Sequence, residues 1–94
     1  MYLKMIKNLK ENMKIVYRKL GKEKVNGSQV DGLAYFNPDK IEIDSRLKGK
    51  RHLEVLIHEI LHIQNKEWEE DEVSKKSKQL CNLIWKENYR RIEK

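Results

Sequence analysis

The stretch KRHLEVLIHEILHIQ, residues 50–64, decides how the rest of the chain is read. Leu53, Leu56, Ile57, Ile60 and Leu61 recur at three- and four-residue spacing, the apolar stripe of an amphipathic helix. A stripe this wide predicts a helix central to the core. Inside it lie His58, Glu59 and His62, the pattern H-E-x-x-H. Residues four apart on a helix are about 40° apart around the axis and one turn apart along it. His58 and His62 can therefore aim ring nitrogens at one metal ion. Glu59 is rotated by about 100° from His58. It is placed to take a proton from water on the ion's open side rather than to act as a ligand. A shuffled chain of this composition shows the pattern with a probability of only about 0.7 %. Two histidines and a glutamate among apolar residues are also costly without a partner. These residues predict a metal site, and the expected ion is Zn²⁺, which takes imidazole and carboxylate ligands.

A third ligand must come from elsewhere. The single cysteine, Cys81, excludes a Cys-based zinc knuckle and an internal disulfide framework. His52 precedes His58 by six residues, about 240° around the same helix, and is expected to be a surface histidine facing away. Just downstream stand Glu67, Glu69, Glu70, Asp71 and Glu72. The dipole of a following helix favours acidic residues at its start. One of them can still be a ligand, because the chain must turn back here.

Upstream, Val30–Phe36 and Lys40–Asp44 read as strands joined by a turn at Asn37-Pro38-Asp39-Lys40, with Pro38 suited to the second position of a type I turn. Gly32 marks a bulge or a close backbone approach. Residues 14–20 read as a further strand, giving a small antiparallel three-stranded sheet. Residues 2–12 read as a short amphipathic helix and 21–29 as a polar connection. Asp44 or Ser45 is expected to cap the central helix. A last helix runs from about Asp71 to Arg91, with Val73, Leu80, Cys81, Ile84 and Trp85 on its inner face. The fold class is α+β, within a single domain over residues 1–94.

Charge and composition narrow the setting. The net charge of +6 is divided into +6 over residues 1–24, −1 over 25–64, −4 over 65–72 and +5 over 73–94. The lysines have the spacing of solvated helix surfaces and lack the interleaved arginines and aromatics of a base-stacking surface. They imply at most weak electrostatic contact with nucleic acid. No apolar run approaches the roughly 18 residues of a membrane span, and the start lacks a signal-peptide pattern. A cytoplasmic location is expected, with no membrane contact.

The segments GLAYF from Gly32, KIEID to Asp44, LEVLIHEILH from Leu53 to His62 and EDEV to Val73 resemble the small zincin-like metallopeptidases of bacteriophages and bacterial mobile elements. The chain is more distantly similar to the ImmA/IrrE and SprT-like groups, over about residues 30–85. The resemblance implies a minimal zincin with an active-site helix and a packing C-terminal helix, hydrolysing peptide or protein substrates. By position it implies His58 and His62 as zinc ligands, Glu59 as general base and Glu72 as third ligand, with Glu69 as rival. It also implies that residues 40–44 form an edge strand that pairs with substrate backbone. Tyr17, Tyr35 and Tyr89 are candidates for stabilising an oxyanion. The alternative is a non-catalytic, metal-stabilised module that binds nucleic acid or a regulatory protein.

Overall fold

The structure, a computed structural model, describes residues 13–20, 24, 25 and 28–92. The helix expected over 2–12 lies outside the described residues. The chain is α+β. Strands β1 (Lys14–Arg18), β4 (Gly32–Tyr35) and β5 (Lys40–Asp44) make one sheet, and β2 (Lys24–Val25) and β3 (Ser28–Gln29) make a small antiparallel ribbon. Two helices follow, α1 (Gly49–Gln64) and α2 (Glu70–Lys86).

The three-stranded sheet is mixed, not antiparallel. Its order is β1-β5-β4; β4 runs antiparallel to β5, and β1 runs parallel to β5 with Ile15 beside Ile41 and Tyr17 beside Ile43. Parallel neighbours need a connection of about a dozen residues or more, and residues 19–39 supply it. Strand β5 is therefore central, with its hydrogen bonds taken on both sides, and cannot be the edge strand that the resemblance implied. Among the described residues the sheet's edges are β1 and β4. The β2–β3 ribbon falls in the expected polar connection.

The turn between β4 and β5 sits where the sequence put it. The Asn37–Pro38 peptide is cis and Asn37 has φ 63°, a left-handed conformation that Asn tolerates better than most residues. Asp44 does not cap α1, which begins five residues later with Lys48 as N-cap. Its carboxylate instead accepts hydrogen bonds from the Arg46 backbone N–H and guanidinium and from the Leu20 N–H. Asp44 thus ties the end of β5 to the segment after β1.

The core lies between the sheet and α1. Ile41 and Ile43 on β5 pack with Val55 and Ile63 on α1, flanked by Ala34, Leu56 and Ile60. The most buried line along α1 is His52, Val55, Glu59 and Ile63, while the expected stripe of Leu53, Leu56, Ile57, Ile60 and Leu61 is only half-buried. The reason is on β4. A Cβ at Gly32 would stand 2.8 Å from Val55 Cγ1 and 2.9 Å from Glu59 Cγ, so the bare glycine lets α1 settle on the sheet through Glu59. Helix α2 buries Val73, Ser77 and Cys81, one turn apart, and leaves Leu80 exposed, against expectation. It ends where Asn88 (φ 69°) turns left-handed and donates its N–H to the Trp85 carbonyl.

Candidate metal centre

Three elements surround one cavity of about 570 Å³: β4 with its flanking residues, α1, and the first three turns of α2. Among the described residues, His58, His62 and Glu70 bring one potential ligand atom each within 4.8 Å of one another at its wall. His58 Nε2 and His62 Nε2 are 3.2 Å apart. Glu70 spans them, with Oε1 2.5 Å from His58 and Oε2 3.1 Å from His62. The histidine pair follows from helix geometry, as the four-residue spacing predicts. Such a group could hold a metal ion.

The carboxylate beside the histidines is Glu70. Neither Glu72 nor Glu69 is there. Glu69 is the N-cap of α2, and the exposed Glu72 carboxylate lies 3.8 Å from Lys76. The physical reason is the helix start. After α1 the Trp68 N–H bonds to the Asn65 carbonyl, and α2 opens at Glu70, not at Asp71. Two residues on, Glu72 is rotated by about 200° and points away from α1.

Glu59 lines the same cavity and is 7 % exposed, pressed against Gly32. Burial pushes its carboxyl up to about 7, with the charge of Glu70 adding to the effect. A carboxylate in that range is matched to proton transfer near neutral pH. Burial lowers the pKa of His58, partly offset by Glu70, which favours the neutral ring that a metal ligand must be.

Two other sequence expectations are corrected. His52 does face away from His58, but it is buried; its Nε2 meets the Tyr17 hydroxyl at 3.0 Å and the rings stack. None of the three tyrosines lines the cavity. Tyr17 is on His52, Tyr35 donates to Glu42 on the outer face of the sheet, and Tyr89 is exposed beyond α2. At the cavity mouth the sequence reading missed Asp31, whose carboxylate takes two hydrogen bonds from Arg51. Their separation of twenty residues carried no local signal.

Among the described residues no helix is long and apolar enough to cross a membrane. No family model, curated protein or solved structure matches the chain.

Proposed function

We propose that the chain is a zinc-dependent peptidase of zincin type, acting on peptide or protein substrates. The observation that carries the reading is the convergence of His58, His62 and Glu70 beside the buried Glu59. Two ligands at about 2.0–2.1 Å from a tetrahedral ion stand about 3.3 Å apart. The separations of 3.2 and 3.1 Å approach that value, and the short Glu70–His58 contact adjusts by rotation of an exposed side chain. Two imidazoles and one carboxylate are a ligand set of catalytic zinc sites, which keep a fourth position open.

The chain's own residues divide the work. His58, His62 and Glu70 hold the ion, which when bound polarises the scissile carbonyl and acidifies water. Glu59 takes the proton of the attacking water at its carboxylate and returns it to the leaving amine. Among the described residues β4 is an edge of the sheet, and beside Glu59 it offers backbone groups to an extended substrate; this is the role the resemblance had given to residues 40–44. The zincin assignment rests on these residues and on the sequence resemblance. The lysine-rich surfaces support only weak electrostatic contact with nucleic acid.

The test is elemental analysis of the purified protein, with hydrolysis of an unfolded substrate before and after chelation. One zinc per chain and chelator-sensitive cleavage are expected. Glu59→Gln should keep the zinc and lose cleavage, because the amide keeps the shape without the base. A protein that takes up no metal overturns the proposal. Zinc binding without cleavage of any peptide library favours the non-catalytic module.

A further inference from the structure

Ser77 is fully buried at the middle of α2, between Val73 and Cys81 on the stripe that faces α1. An aliphatic residue or alanine would serve packing and helix propensity better there. The hydroxyl does two things. It lies 3.4 Å from His58 Nδ1, the ring nitrogen opposite the one that meets Glu70, and 3.0 Å from the Ser74 carbonyl one turn back. A serine hydroxyl both donates and accepts. The Ser74 carbonyl only accepts, and His58 Nδ1 takes either part according to where the ring proton sits.

Resting on the zinc reading above, we propose that Ser77 is a positioning residue for His58, its hydroxyl turning from donor to acceptor as Nε2 passes from Glu70 to a metal ion. While Nε2 carries the proton towards Glu70, Nδ1 bears a lone pair, and Ser77 donates to it by turning its hydroxyl proton from the Ser74 carbonyl 3.0 Å away. When Nε2 gives its lone pair to an ion, the ring's single proton is on Nδ1. That N–H donates to Ser77 Oγ, and the hydroxyl proton swings to the Ser74 carbonyl. The ring keeps a partner behind it in both states, and no buried polar group is left unpaired in either. Ligand histidines generally need such a partner on the second nitrogen, and its loss costs about 10–100-fold in metal affinity. Glu70, Ser74 and Ser77 fall on one face of α2 at spacings of four and three. The helix that presents the carboxylate therefore also holds the imidazole from behind.

Zinc affinity by chelator competition and the melting temperature of the metal-free protein test this for wild type, Ser77→Ala and Ser77→Thr. Ser77→Ala should bind zinc at least ~10-fold more weakly while the metal-free protein melts close to wild type, because the higher helix propensity of alanine offsets the bond lost to His58 Nδ1. Ser77→Thr, which restores the hydroxyl, should recover most of the affinity. In the zinc-loaded wild type, ¹⁵N spectra should show a slowly exchanging His58 Nδ1–H that is lost in Ser77→Ala. Unchanged zinc affinity and an unchanged Nδ1–H signal in Ser77→Ala overturn the role of Ser77 and leave the zinc site standing. So does a loss of affinity matched by a fall in metal-free melting temperature. A wild type that binds no zinc overturns the site and the role of Ser77 together.

Discussion

Glu70 and Glu72 separate cleanly by substitution. Glu70→Ala removes the carboxylate that spans both histidines, and zinc affinity should fall by at least ~10-fold. Glu72→Ala and Glu69→Ala should each leave it nearly unchanged, as competition titration would show; a large loss from Glu72→Ala alone would restore that residue as the ligand. Asp44 is the second residue whose charge matters. The Arg46 guanidinium, then the Arg46 N–H and the Leu20 N–H, hold its carboxyl far below the ordinary carboxylate range. Because the folded value is depressed, its stabilisation is present above the unfolded pKa of about 3.9 and drains away as pH falls below it. Asp44→Asn should cost about 2 kcal/mol at pH 7, the range for buried hydrogen bonds to a charged group. It should also flatten the loss of stability in an acid titration between about pH 4 and 2. An equally steep acid limb in the variant would assign that loss to other carboxylates. The histidine pair was legible in the sequence because both members sit on one helix. Glu70 was not, because the acidic run 69–72 offers a carboxylate at every position and each step along a helix turns the face by about 100°.

Among the elements, β4 and α1 approach closely at Gly32. Gly32→Val would drive a branched side chain into Val55 and Glu59, and overpacking of this kind costs about 1–3 kcal/mol. Because Glu59 is one of the two groups displaced, cleavage should fall more than the denaturation midpoint alone explains. Zinc content should hold, since the histidines lie on another side of the helix. Wild-type activity in a stably folded Gly32→Val protein would show that the close approach is dispensable. The β4–β5 hairpin and both helices could be read ahead because period-2 and period-3.6 patterns are local. The direction of β1 could not. Its residues suit either neighbour, and only the long return through residues 19–39 makes the parallel pairing reachable. The buried line of α1 was misjudged for a related reason. Hydrophobicity pointed to Leu53, Ile57 and Leu61, whereas a glycine on another element decided that Glu59 goes inward.

For the whole molecule, a bound ion adds to the folding free energy of a chain with a small core. At a free zinc concentration about 100 times Kd, linkage gives about 2.7 kcal/mol. For a domain near this size that corresponds to a rise in melting temperature on the order of 10 °C or more. Calorimetry with and without chelator should show it, and Glu70→Ala should remove most of it. A melting temperature indifferent to zinc in the wild type would count against metal binding by the folded state.

Among the described residues the candidate ligand cluster is drawn from residues 58–70, on two helices joined by a short turn, whereas Glu59 is seated by a glycine on β4, far earlier in the chain. On the proposed reading, ion capture and proton handling thus belong to different layers of the fold. If the hairpin opens or peels away from α1, the helical pair can go on gripping zinc while the base loses its backing. Metal stoichiometry alone will then overcount working molecules. Active-site titration, or amide exchange along residues 32–35, reports the working fraction that a zinc assay misses.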